Sequence, residues 1–163
     1  MNDNKRVVDP ITRAHSFVAE VINHGDLVVD ATMGNGHDTA FLCTLTNNVY
    51  AFDIQDQAIQ NTRARNLVAT LIQDCHSNID RYIKQPIKVA IFNLGYLPGS
   101  NKTIITRPET TITALKKVKS LLAPGGRIAI VVYPKHPGGK EEADAVLEWV
   151  NKQVDQNVLC MVG

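Results

Sequence analysis

Along most of the chain, short apolar runs alternate with helical segments, and most of the runs end in a polar or glycine- and proline-rich turn. Runs at 27–31, 49–54, 69–72, 87–94 and 127–133 read as strands, and a short one starts at 158. Helical patterns fill 37–46, 56–67, 77–84, 108–122 and 139–153. Ahead of them, Asp9-Pro10 supplies an N-cap and a proline at the first helical position, and Gly25 ends the helix that follows. Pro124-Gly125-Gly126 makes a sharp turn into the fifth strand. This alternation narrows the fold sharply. Strand followed by helix followed by strand gives right-handed βαβ units, hence an α/β protein whose mostly parallel sheet carries helices on both faces. Such sheets bind ligands beyond the carboxyl ends of their strands. The chemistry is therefore expected at 30–37, 53–56, 73–77, 93–101 and 133–139.

A length of 163 residues suits one domain, with an N-terminal helix at about 10–24 and a core at 27–163. No apolar run approaches the roughly 20 residues that span a bilayer, and MNDNKRVVDP has no signal-peptide core. Cys43, Cys75 and Cys160 are odd in number and have neither metal-like nor redox-like spacing. A cytoplasmic protein with reduced thiols and no metal site is expected. The net charge of +1 conceals an asymmetry. Residues 81–140 hold eleven Lys or Arg against one acid, Glu109, whereas the remainder holds six bases and fifteen acids. A one-signed stretch of this kind is a candidate polyanion footprint, and equally a set of solvated helix faces.

The turn after the first strand reads DATMGNGHDT, residues 30–39. Gly34 and Gly36 allow close backbone approach to a ligand where strand passes to helix. A dinucleotide fingerprint needs Gly or Ala at the position of Thr39, which argues against a nicotinamide oxidoreductase. The D-x-x-x-G-x-G pattern from Asp30 instead resembles motif I of class I S-adenosylmethionine-dependent methyltransferases, with Thr32 in place of the usual first glycine. That resemblance sets Met33, Gly34, Asn35 and Gly36 against the methionine moiety and gives Asp30 its ammonium group. Asp53 follows 23 residues after Asp30, at the end of the second strand, where a carboxylate accepts both ribose hydroxyls. Gln55 is within reach of the adenine or the ribose. The third strand ends at 73–77, QDCHS, beside the expected adenine site, although Asp74 or Ser77 could equally cap the next helix.

The fourth strand runs into FNLGYLPG, where amino-group methyltransferases carry Asn-Pro-Pro-Tyr. Asn93 and Tyr96 match that motif, and both prolines are absent. The match implies that Asn93 accepts hydrogen bonds from a target amine and that Tyr96 stacks on its base. The fifth strand leads into VVYPKHPGGK, whose Tyr133 and His136 are candidates to accept the amine's proton, as is water. Together DATMGNGHDT, YAFDIQ, FNLGYLPG and VVYPKHPGGK resemble the family long labelled rRNA methylases and understood as tRNA 5-(aminomethyl)-2-thiouridine methyltransferases. The resemblance runs from about residue 6 to 153. It implies a Rossmann-like class I methyltransferase fold, S-adenosyl-L-methionine as cofactor, and N-methylation of a wobble-position 5-aminomethyl-(2-thio)uridine. Asn35, Asp53, Gln55, Cys75 and His76 fall on the family's cofactor positions, with Cys75 where Ser is usual. The family continues into a C-terminal hairpin, so its antiparallel strand is expected to be truncated. Expected partners are tRNA, through the basic region 81–140, and a second copy of the chain, with no membrane. The alternatives are an rRNA or other nucleic-acid amino group as acceptor, or a catalytically dead RNA-binding module on the same fold.

Overall fold

A computed structural model of the chain describes residues 9–95 and 106–163. Asp9 caps α1 (Pro10–Ala19), its carboxylate accepting from the Ile11 and Thr12 amides at 3.2 and 3.4 Å. The elements that follow are β1 (Leu27–Asp30), α2 (His37–Cys43), β2 (Asn48–Asp53), α3 (Asp56–Arg63) and β3 (Thr70–Gln73). A 3₁₀ helix, His76–Arg81, leads to β4 (Ile87–Asn93), α4 (Pro108–Leu121), β5 (Leu122–Val132), α5 (Gly139–Asn151) and β6 (Val158–Val162). The six strands form one parallel sheet in the order β3-β2-β1-β4-β5-β6. The chain lays strands outward from β1 to β3, then returns to set β4 on the other side of β1. The carboxyl ends of β1 and β4 therefore flank the switch point, where an open parallel sheet leaves a crevice.

Alternation along the buried strands divides the core between two faces. Val28, Val49, Val89, Ile91, Ala129 and Val131 pack with Ala14 and Val18 of α1 and Leu42 of α2. Val29, Phe52, Phe92, Ile128 and Ile130 pack on the other face with Leu115 of α4, Val146 and Trp149 of α5, and Ile79. No helix among the described residues is long and apolar enough to cross a membrane.

Three expectations are corrected. The helix expected over 77–84 is a 3₁₀ helix with a kink at Asn78 (φ −98°, ψ 15°). α3 ends at Arg63 rather than at 67, and Asn66 adopts φ 55°, the left-handed conformation that Asn tolerates. β5 starts before the Pro-Gly-Gly turn. Leu122 pairs with Ile87 and Arg127 with Val89, so the residues between bulge out of the ladder, with Gly125 at φ 75°.

Candidate active site

The glycine turn leaves β1 with Gly34 at φ 53° and Gly36 at φ 85°. Asp30 is fully buried behind it. Its two oxygens accept from the Thr32 amide at 3.1 Å and from the Thr39 hydroxyl at 2.7 Å. Thr39, where a dinucleotide site needs a small residue, thus fills that space and binds the acid. Burial, reinforced by the nearby Asp38 charge, pushes the Asp30 carboxyl well above the usual carboxylate range. Thr32, in place of the usual glycine, has a task of its own: its hydroxyl accepts the Asn93 amide at 2.7 Å and ties the end of β4 to that of β1. The acid that borders the cleft from this turn is Asp38, eight residues after Asp30. It hydrogen-bonds His15 Nε2 at 2.6 Å, and the His15 ring stacks on Phe41 with centroids 3.9 Å apart. Met33 borders the cleft while packing against Ala51 and Ile59.

Asp53 ends β2 facing the turn. One of its oxygens accepts the Gly34 amide at 3.0 Å and the other the Gln55 amide at 2.9 Å. A carboxylate oxygen has about two lone-pair sites, so each keeps one for a ligand. Ile54, Gln55, Asp74, Cys75 and His76 continue the wall. The His76 ring is buried, and burial lowers its pKa to about 4. The neutral ring donates from Nδ1 to the Ala31 carbonyl at 3.0 Å, which leaves Nε2 an acceptor. Cys75 Sγ accepts the Ser77 hydroxyl at 3.1 Å. Asp74 accepts from Asn78 Nδ2 at 2.8 Å and from the Tyr82 hydroxyl at 2.6 Å. These bonds, the Tyr82 one largest, hold its carboxyl below the ordinary range.

Beyond the switch point the same cleft is bordered by Asn93, Gly95, Tyr133, Lys135 and His136. The Tyr133 hydroxyl, also at the cleft, has its pKa raised by burial and by the Asp38 and Asp9 charges. His136 Nδ1 lies 3.1 Å from the Pro137 carbonyl, and a methyl group on Gly139 would approach His136 Nε2 to 2.8 Å. That close approach requires glycine. Tyr96 lies outside the described residues. Glu142, buried in the first turn of α5, accepts the Thr106 and Thr111 hydroxyls at 2.7 and 2.9 Å, linking α5 to the start of α4.

The two halves form one cleft of about 1240 Å³. It brings together every residue picked from the sequence except Asp30 and Gly36, which sit behind the wall, and Tyr96. Sequence reasoning missed Asp38, Arg107 and Thr110 on the wall and Glu142 behind it. An acid directly following the glycine turn was the available signal for Asp38. The basic stretch is dispersed: Lys117 pairs with Asp80 at 2.8 Å, Arg127 with Glu20 at 2.6 Å and Lys119 with Asp155, all acids outside 81–140. Arg107 and Lys135 remain at the cleft.

A family model described as "Putative rRNA methylase" matches residues 49–162. This chain belongs to that family. The chain is 41% identical, over 82% of its length, to the chloroplastic tRNA (mnm(5)s(2)U34)-methyltransferase of Arabidopsis thaliana. The chain spans 56% of that relative's length. A Streptococcus mutans protein solved with S-adenosylhomocysteine is 47% identical, with TM-score 0.83 over 91% of this chain and 84% of its own. A Clostridium thermocellum structure described as an rRNA methylase is also 47% identical, with TM-score 0.86 over the same shares. Both solved structures share this chain's fold over nine tenths of its length.

Proposed function

We propose that the chain is one S-adenosylmethionine-dependent methyltransferase domain, and that it methylates an RNA amino group, that of 5-aminomethyl-(2-thio)uridine at the tRNA wobble position. One observation carries this reading: a single cleft joins an adenosine-like half-site at Asp53 to an amine-like half-site at Asn93 and Tyr133. The residues fit the cofactor. Asp53 keeps an acceptor site on each oxygen for a pair of ribose hydroxyls, and Asp74 and neutral His76 are acceptors suited to an exocyclic adenine amine. Asn35 and Asp38 flank the glycine turn as a neutral amide and an acid, a pairing suited to an amino-acid arm. The Streptococcus mutans and chloroplast relatives support cofactor and acceptor respectively.

Bound S-adenosylmethionine supplies a methyl group already activated on a sulfonium sulfur. The protein's task is to hold a neutral amine nitrogen in line with it at about 3 Å. Asn93, its backbone fixed through Thr32, accepts a hydrogen bond from the amine and directs its lone pair. An alkylamine is protonated near neutral pH and must lose a proton first. Tyr133, with its pKa raised, stays a neutral hydroxyl and acts as a positioning group, which leaves His136 and water as candidate proton acceptors. Arg107 and Lys135, at the cleft, suit flanking phosphates.

Calorimetry with S-adenosylhomocysteine tests the cofactor half. Asp53→Ala should weaken binding by about 1.5–3 kcal/mol, the range for hydrogen bonds to a charged group. Unchanged affinity would remove Asp53 from the site, and no binding by the unsubstituted protein would defeat the reading.

A further inference from the structure

Three amide side chains form a line from the protein surface to the cleft. Gln57, on the exposed face of α3, donates from Nε2 to Asn61 Oδ1 at 2.7 Å. Asn61, one turn later, donates from Nδ2 to Asn35 Oδ1 at 2.8 Å. A primary amide has one acceptor oxygen and one NH₂ group. With the Asn35 oxygen turned back to α3, its NH₂ is what Asn35 offers to the cleft it borders. The surroundings share that polarity. Arg65 donates from Nε to the Asn35 carbonyl at 2.7 Å, and its Nη2 lies 2.9 Å from His37 Nδ1, so a guanidinium backs this flank of the turn. The Thr62 hydroxyl donates to the Gly34 carbonyl at 3.1 Å and holds the same turn. The Asp38 carboxylate borders the same cleft. The cleft therefore offers donors and nearby positive charge at Asn35, and an acid at Asp38.

We propose that Asn61 is a positioning residue which, with Gln57, fixes the polarity of the Asn35 amide and so makes the cleft select a ligand with a carboxylate on its amino-acid arm. This rests on the cofactor reading above. A donor held in place by its neighbours gives a charge-assisted hydrogen bond without first having to turn. The ligand's carboxylate lies toward Asn35 and its ammonium toward Asp38.

The test compares S-adenosylhomocysteine with 5′-methylthioadenosine, which keeps the adenosine and sulfur but lacks the amino-acid arm. Asn61→Asp offers acceptors alone, so the Asn35 amide turns its NH₂ to α3 and its oxygen to the cleft. S-adenosylhomocysteine should then bind about tenfold or more weakly, while methylthioadenosine changes by less than about twofold. Asn61→Ala, which frees the amide without adding charge, should give the same pattern with a smaller loss. A merely structural role would weaken both ligands together, and equal losses overturn the proposal. Gln57→Glu, on an exposed helix face, inverts the relay from its outer end and carries the comparison if Asn61→Asp does not fold. Affinity ratios within twofold of the unsubstituted protein in Asn61→Ala and Gln57→Glu would also overturn it. So would an unsubstituted protein that binds the two ligands equally well, which leaves the cofactor reading intact. Binding of neither ligand overturns the cofactor reading itself, and this inference with it.

Discussion

Asp30 and Asp38 carry the same functional group eight residues apart, yet one is sealed behind the glycine turn and the other borders the cleft. The motif that points to Asp30 records the order of residues. Which carboxylate borders the cleft depends on the path of the turn through Gly34 and Gly36, a three-dimensional property. Burial gives Asp30 a distinct pH signature. Its folded pKa is raised above the unfolded value, so its contribution to stability is fully present below about 3.8 and is lost as pH rises. Asp30→Asn removes that titration. In urea denaturation, the variant's stability relative to the unsubstituted protein should improve between pH 5 and pH 8, whatever its absolute cost. His76 has the opposite sign. Its pKa falls from 6.5 to about 4, so its contribution is present above 6.5 and is lost as pH drops toward 4. His76→Gln should accordingly gain on the unsubstituted protein over that window. A flat difference in either variant would remove the corresponding burial argument.

At the scale of elements, the glycine turn, α2 and α3 behave as one unit. Gly36 needs its glycine twice over: its φ is 85°, and a methyl group there would lie 2.8 Å from both Thr62 Cγ2 and Oγ1. Gly36→Ala should cost about 1–3 kcal/mol in chemical denaturation, from the left-handed backbone and the contact together. Measured in a Thr62→Ala background, which by itself loses the bond to the Gly34 carbonyl, Gly36→Ala should keep only its backbone cost; an undiminished cost, or none, would contradict this division. The existence of these elements was legible because apolar runs and their glycine, proline and carboxylate boundaries are local. Asp9-Pro10 starts α1 as its sequence requires, and Asp53 ends β2 as the apolar run before it predicts. The relay from Gln57 through Asn61 to Asn35 was not legible. Its last two members are 26 residues apart and meet only when α3 packs behind the turn. The bulge in β5 was hidden for a similar reason, since Ile87 and Val89 of the neighbouring strand set its pairing.

At the scale of the whole molecule, the sheet order decides where chemistry can occur, and folding redistributes charge that the sequence keeps apart. Lys117, Lys119 and Arg127 find acids from outside their own stretch, whereas Arg107 and Lys135 stay at the cleft beside Asn93, Tyr133 and His136. The switch point between β1 and β4 places the amine-like half-site next to the adenosine-like one, and that adjacency is the central claim. Mass spectrometry of nucleosides tests it most directly, using tRNA that carries 5-aminomethyl-2-thiouridine incubated with the protein and S-adenosylmethionine. The account predicts a gain of one methyl group on that nucleoside, lost in Asn93→Ala while affinity for S-adenosylhomocysteine stays within about twofold, because positioning acts on the barrier more than on cofactor binding. A protein that binds S-adenosylhomocysteine and yet leaves this nucleoside unmethylated, or an Asn93→Ala variant that methylates it as well as the unsubstituted protein, would contradict the account.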